Sequence, residues 1–332
     1  MKKAILGLAG LVLLACVLAV TYEYISQFLG LGDSDKLSSE TNTRQPAEPP
    51  QNKPPDIVEP EPSGIPQPPV EQTPIIPDVI AVALEDARAT ERAGDTMAAR
   101  NAYSAVFKNI VIGGVSVSHR EKLLDSIRDS LNRLNREIYF NKWNLYESQE
   151  FYVVKGGDNL TGIARKFGTT PDFLVRVNGI TDMNLIRVGD KLKIVRGPFN
   201  AIIDKSECRM YVLHGEELFC EYDVSVGRKG RETPSDTYRI GQKERRPDWT
   251  DPDTGAVYKF GDSEYPLGEY WIPLCGDTVG RIGIGIHGRS GEAADMPIGG
   301  AVSRGCVRMR NSDVKVLFAL LTSGVSKVKI VE

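Results

Sequence analysis

A chain of 332 residues, 41% hydrophobic and 26% charged, has enough apolar side chains to build packed cores. That excludes wholesale disorder and suggests two or three domains. The net charge of −3 lacks the basic footprint of a dedicated nucleic-acid binder, so no nucleic acid is expected as a partner. Five cysteines and three histidines, with no Cys-x-x-Cys pair, give neither a disulfide scaffold nor a zinc pattern, so no metal and no cofactor are expected.

Lys2 and Lys3 precede an uninterrupted apolar run, Ala4 to Val20, at the short edge of a membrane span. The positive-inside rule places the basic end in the cytoplasm and the rest of the chain beyond the membrane. Three readings of residues 1–22 stand side by side. They are a retained membrane anchor, a signal peptide cleaved after the small residues Val17-x-Ala19, and a lipoprotein signal with acylation at Cys16. All three imply an extracytoplasmic or periplasmic location. Residues 23–77 follow as a tether, because twelve of the twenty prolines fall between Pro46 and Pro77. Polyproline II geometry at ~3.1 Å per residue would let that stretch reach up to roughly 100 Å.

From 78 to 149 the pattern turns helical. Ala83, Ala87, Ala99, Tyr103 and Phe107 recur at helical intervals, and Gly94-Asp95 separates two helices. The small and aromatic positions resemble one tetratricopeptide-type hairpin, and a single such repeat cannot bury a solenoid core. Ser118 reads as an N-cap with Glu121 as its capping-box partner, and His119 as an exposed residue of the first turn. Leu124, Ile127, Leu131, Leu134 and Ile138 then form an apolar stripe. The segment is read as a three-helix spacer that buries its own face, or as a partner-binding module.

Residues 150–196 divide differently. Tyr152-Val153-Val154 reads as a strand, Gly156-Gly157-Asp158 as a turn, and Leu160, Ile163, Ala164 and Phe167 as a helix. Phe173, Leu174 and Val177 form a second helix stopped at Asn178-Gly179, and Lys191–Ile194 is a closing strand. The run Y-V-V-K-G-G-D-N-L-T-G-I-A-R-K-F is similar to a LysM domain. That resemblance implies a small α+β fold ordered βααβ and binding of the glycan of peptidoglycan. It points to Gly157, Asp158, Asn159 and Leu160, and to Gly179, Ile180 and Thr181, as glycan contacts.

Residues 198–332 hold the chemistry. Cys306 lies in A-V-S-R-G-C-V-R-M-R, where Gly305 lets the backbone approach a ligand and Arg304, Arg308 and Arg310 would favour the thiolate. A cysteine nucleophile needs a base, and His287 is the candidate. Amides around Gly305-Cys306 are natural donors to an oxyanion. Arg209–Leu213 and Leu218–Val226 read as a β-hairpin joined by a turn at His214–Glu217, which leaves His214 without a catalytic role.

His287, fifteen residues, then Ser303-x-Gly305-Cys306 closely resembles the signature of YkuD-type L,D-transpeptidases. The resemblance implies a β-rich sandwich with Cys306 and His287 in a cleft under a mobile lid. It assigns Cys306 as nucleophile, His287 as base, the Gly288 carbonyl as the group orienting His287, and the amides of Arg304, Gly305 and Cys306 as the oxyanion hole. Ser303 and Arg308 fall at positions linked to loop shape and substrate binding. The implied reaction takes a stem tetrapeptide as donor and an amine as acceptor, giving a 3→3 cross-link. Hydrolysis by an L,D-carboxypeptidase and a non-catalytic wall-binding protein are the alternatives. Two departures stand out: Arg304 replaces the family's usual second histidine, and Asp236 replaces a glycine after Thr233-Pro234-Ser235. No Cys208–Cys220 disulfide is expected, because the hairpin register separates them by about four residues, or roughly 13 Å.

Overall fold

A computed structural model describes residues 77–332 apart from 115–116, 118–119, 148, 277–282 and 291–296. The apolar N-terminal run with Cys16, most of the Pro-rich tether, Ser118 and His119 lie outside the described residues. Among the described residues no helix is long and apolar enough to cross a membrane.

The helical segment begins with α1 (Asp78–Arg92) and α2 (Thr96–Val111). Between them Gly94 takes the left-handed turn at φ 83°, and the Asp95 carboxylate accepts the Ala98 amide as the N-cap of α2. Helix α3 (Arg120–Asn135) runs into a single π-helical turn, Arg136–Phe140. Glu91 of α1 ties the helices together, accepting from Tyr103 of α2 at 2.9 Å and pairing with Arg133 of α3 at 2.5 Å.

This segment does not bury its own face alone. Its core residues Phe107, Ile110, Leu124, Ile127 and Leu131 pack in one cluster with Ile202, Tyr211, Leu213 and Leu218. Those four belong to strands β3 (Phe199–Asp204), β4 (Arg209–His214) and β5 (Glu217–Asp223) of the C-terminal domain. The self-contained spacer is therefore corrected to a layer of helices covering a sheet face. The covering is polar as well as apolar. Strand β5 is the edge of the main sheet, and its backbone is met by helical side chains. Ser104 Oγ accepts the Leu218 amide at 2.8 Å, and Asn135 donates to the carbonyls of Leu218 and Phe219 at 3.1 and 2.9 Å. A sheet edge left bare would be a template for aggregation.

The next unit has strand β1 (Gln149–Val153), helices α4 (Leu160–Lys166) and α5 (Pro171–Asn178), and strand β2 (Lys191–Val195), with β1 and β2 antiparallel. Asn159 caps α4, Thr170 caps α5, and Gly179 at φ 62° ends α5. Phe173 on α5 faces away from this unit's own core and stacks edge-on with Phe199 of β3 at 5.0 Å. Lys193 of β2 is fully enclosed, and its ammonium donates to the carbonyls of Ile138, Asn141 and Asn144 at 2.7, 2.8 and 2.8 Å. One lysine thus closes the carbonyl end of the preceding helical segment, where a positive charge is favourable.

In the C-terminal domain the main sheet has nine strands among the described residues, and β6 (Val226–Gly227) pairs with β13 (Ala301–Ser303) in a separate two-stranded sheet. β12 (Gly285–His287) lies between β14 (Val307–Arg308) and β11 (Tyr270–Gly276), and the order continues through β7 (Thr237–Ile240), β15 (Lys327–Val331), β3 and β4 to β5. A ninth strand, β8 (Glu244–Arg245), pairs beside β11. The expected mainly-β fold is present as one continuous hydrogen-bonded path. Side chains alternate across β3 and β4, so Ile202, Tyr211 and Leu213 meet the helical segment while Ala201, Ile203, Met210 and Val212 meet the opposite core. Helix α6 (Asn311–Leu320) fills that opposite core with Val314, Leu317 and Phe318.

The hairpin β4–β5 corrects one detail. His214 ends β4 opposite Glu217, so the turn is only Gly215-Glu216, with a register shift between Val212 and Leu213. His214 bridges Tyr139 Oη and the Arg196 carbonyl, each at 2.7 Å, and stacks on Phe199. It is a joint between the three units. Cys220 lies opposite Val212, while Cys208 lies beyond the Arg209–Asp223 pair; both are free thiols.

Candidate active site

Strands β12 and β14 run parallel, with Ile286 beside Val307 and His287 beside Arg308. Ile286 and Val307 are fully buried in the core, so alternation turns His287, Arg308 and, two residues earlier, Cys306 to the other face. All three line one cleft of about 610 Å³. Trp271 of β11, directly across from His287, places its ring 5.9 Å from the imidazole and lines the same cleft. Strict alternation along β11 (Tyr270, Ile272 and Leu274 inward) was the signal that could have found it. Gly285 is glycine for a steric reason, since a Cβ there would meet the Trp271 ring at 2.5 Å.

His287 Nδ1 lies 2.6 Å from the Gly288 carbonyl oxygen, which leaves Nε2 as the other ring nitrogen. Burial, and then the Arg308 guanidinium, hold this imidazole down to about 4, against the backbone hydrogen bonds at Gly288 and Leu267. Gly288 is packed against Asn311, the first residue of α6. The Asn311 amide grips the next residue twice, accepting the Arg289 N–H and donating to the Arg289 carbonyl, each at 2.9 Å. Sequence reasoning missed Asn311, which lies 23 residues beyond Gly288 and carries no motif.

The thiol differs from expectation. Burial pushes the Cys306 thiol up, and the Gly285 backbone and Arg308 only partly offset it. Of the three arginines expected to favour the thiolate, Arg310 pairs with Asp223 at 2.6 Å and Arg304 reaches Asp251 and Asp253 at 3.5 and 3.3 Å. Only Arg308 acts on the sulfur. The ordinary gap of ~2 units between imidazole and thiol is therefore widened, so the resting pair is neutral thiol and neutral imidazole.

The loop before Cys306 is held from two sides. Ser303 Oγ accepts the Gly305 amide at 3.0 Å and donates to the Cys306 carbonyl at 2.6 Å. Thr233 Oγ1 accepts the Gly227 amide and donates to the Gly305 carbonyl at 2.9 Å. Gly305 sits at φ 120°, where a side chain would be strained. Two expectations change as a result. The Gly305 amide is committed to Ser303 rather than to a bound oxyanion. Ser303, with no exposed surface, shapes the loop instead of touching substrate.

In the smaller unit the proposed glycan residues separate. Leu160 is 3% exposed and belongs to that unit's own core, so it cannot contact a glycan. Asp158 accepts from Tyr152 Oη and the Lys155 amide, each at 2.8 Å, and Asn159 caps α4. Both carboxyl and amide oxygens are thus engaged in shaping the loop. Gly157, Gly179 and Thr181 are exposed and Ile180 is half-buried.

The architecture is a mainly-β domain whose cleft is lined by a cysteine and a histidine, joined to a βααβ module. Residues 198–330 match the family model for the L,D-transpeptidase catalytic domain, YkuD, and residues 152–195 match that for the LysM domain. Residues 198–330 thus form a YkuD-type L,D-transpeptidase catalytic domain, with a LysM domain ahead of it. A protein described as the L,D-transpeptidase YkuD of Bacillus licheniformis is 27% identical over 179 residues, covering 52% of this chain and 94% of that protein. YcfS of Escherichia coli, described as an L,D-transpeptidase, is 29% identical over 209 residues; the match covers 56% of this chain and 63% of YcfS. The N-acetylmuramoyl-L-alanine amidase XlyA of Bacillus subtilis is 60% identical over 47 residues, which cover 14% of this chain and 16% of XlyA.

Proposed function

We propose that this chain is a peptidoglycan L,D-transpeptidase working outside the cytoplasmic membrane, held to the wall by its LysM domain and to the membrane through its N-terminus. The placement of His287 and Arg308 side by side on two neighbouring parallel strands, with Cys306 just ahead of β14 in the same cleft, carries this reading. His287, neutral at pH 7, accepts the Cys306 proton as the sulfur attacks the carbonyl of the third residue of a stem tetrapeptide. The N–H groups of Arg304 and Cys306 donate to the oxyanion. The bond to the terminal D-alanine breaks, His287 returns the proton to the leaving amine, and a thioester remains on Cys306. An amine acceptor then attacks that thioester, gives its proton to His287, and expels the thiolate, which is reprotonated. The product is a 3→3 cross-link.

Arg308 supplies positive charge for a carboxylate of the donor. In the LysM domain the exposed Gly157, Gly179 and Thr181, with Ile180, are the residues that support glycan contact. The α1–α2 pair, tetratricopeptide-like in pattern, serves as a brace for the catalytic sheet.

Incubating the full chain with disaccharide-tetrapeptides and following products by mass spectrometry tests the reading. Dimers carrying 3→3 links are expected, with loss of all product in Cys306→Ala. Tripeptides alone would make the protein a carboxypeptidase. No turnover, together with no adduct at Cys306 from a carbapenem, would leave a non-catalytic wall-binding protein.

A further inference from the structure

Strands β9 (Trp249–Thr250) and β10 (Val257–Tyr258) form a small hairpin that hydrogen-bonds to no other described strand. Nevertheless it walls the catalytic cleft. Trp249, Thr250 and Pro252 line it together with Arg304, Gly305 and Cys306. Something other than sheet pairing must fix its position.

We propose that Arg304 is a positioning residue that latches this hairpin onto the loop carrying Cys306, and so sets the cleft wall that a stem peptide meets. The inference rests on the transpeptidase reading above. Arg304 Nη1 lies 3.3 Å from Asp253 Oδ2 and 3.5 Å from Asp251 Oδ2. From a second loop, Arg231 holds the other oxygen of Asp253 at 2.9 Å. Two loops that both border the nucleophile therefore grip one hairpin tip.

The tip is built to present those carboxylates. Asp251 Oδ1 accepts the amides of Asp253 and Thr254 at 2.8 and 3.3 Å. Its backbone N–H and C=O pair with Ala256 and Gly255, each at 2.8 Å. One carboxylate oxygen thus shapes the turn while the other reaches Arg304. Asp251 is the better shielded partner, its side chain 15% exposed against 48% for Arg304.

The latch sits two residues from the sulfur. Any shift of Arg304 passes through Gly305 to Cys306, because Ser303 is pinned in the core on the other side. A guanidinium also offers a fork to two carboxylates, which an imidazole at this position would not do. Both ends are partly exposed, so salt weakens the latch.

The test uses the full chain and four proteins: wild type, Arg304→Gln, Asp253→Asn and the double variant. Two readouts are followed. One is the rate of tryptic cleavage after Lys259, just beyond β10, which needs no activity. The other is KM and kcat for a disaccharide-tetrapeptide. Each single variant is expected to speed cleavage and raise KM by about fivefold, the upper end for a partly exposed pair, with a smaller change in kcat. The double variant should fall clearly short of the sum of the two, since the substitutions share the Arg304–Asp253 contact while each removes one further ion pair. Additive effects would mean that Arg304 acts on substrate directly, and overturn the latch. So would Asp253→Asn behaving as wild type in cleavage. A wild type without turnover overturns the transpeptidase reading instead, and the cleavage rates then decide the latch alone.

Discussion

Replacing Gly288 with alanine offers the sharpest test of how the site is held. A Cβ at this position would sit 2.0 Å from Asn311 Oδ1, 3.2 Å from its Cγ and 3.4 Å from a Val314 methyl. Asn311 cannot simply turn away, because it opens α6 and its amide holds the Arg289 backbone through two hydrogen bonds of 2.9 Å. Moving it forfeits both, at about 1 kcal/mol each. The residual crowding adds about 1–2 kcal/mol. The expected loss is about 3–4 kcal/mol, or a fall in Tm of about 10 °C for a unit of this size. The Gly288 carbonyl also orients the His287 ring, so activity should fall by at least about tenfold, beyond what stability explains. Thermal melts of Gly288→Ala, Asn311→Ala and the double variant check the mechanism. Once Asn311 is shortened the added methyl has room, so the double variant should melt close to Asn311→Ala alone. A Gly288→Ala protein melting within about 2 °C of the parent would refute the reasoning, as would full additivity in the double variant.

Arg308→Gln removes a like charge from His287 and a stabilising charge from the Cys306 thiolate, so both groups should titrate higher. The acid limb of kcat/KM, expected near pH 4 in the parent, should move upward with the alkaline limb in a pH–rate profile. His287 is depressed in the folded state, so its site gains no proton as pH falls through 6.5 while the unfolded chain does. Stability should therefore decline between about pH 6.5 and 4, by up to about 3 kcal/mol, with His214 pulling the same way. Denaturant melts at pH 7 and pH 4.5 measure it, and a flat profile would contradict the buried neutral imidazole. Lys193→Met should cost about 2–3 kcal/mol, because it removes the ammonium from three carbonyls, of which Ile138 alone keeps a second donor in Gln149, and calorimetry reads it as a lower Tm.

The parts legible in the sequence were those where local pattern and physical cause coincide. Leu160, Ile163, Ala164 and Phe167 mark α4 by their spacing alone, and Gly179 announces the end of α5 because only a left-handed residue closes it there. His287 and Cys306 were readable as neighbours from the interval between them, and both line one cleft. What the sequence hid depends on partners far along the chain. Lys193 stands in the strand Lys191–Val195 between apolar neighbours and looks exposed, yet carbonyls some fifty residues earlier enclose it. The arginines near Cys306 looked like a single positive field, and the acidic residues that neutralise two of them come from a separate hairpin tip and from the end of β5. Leu160 shows the converse error: a motif position taken for a ligand contact proves to be core.

The joint around Tyr139, His214, Phe173 and Phe199 bears on how this protein can be divided. Family matches cut the chain at 152, 195 and 198, but the apolar core does not respect those cuts. A chain begun at Phe199 would lose the helical cover over Ile202, Tyr211, Leu213 and Leu218 and the LysM cover over Phe199 and Phe219 together. It would also present β5 with its outer row of backbone groups unpaired. A fragment cut there would expose an apolar sheet face and an open edge strand, and should self-associate where the whole chain does not.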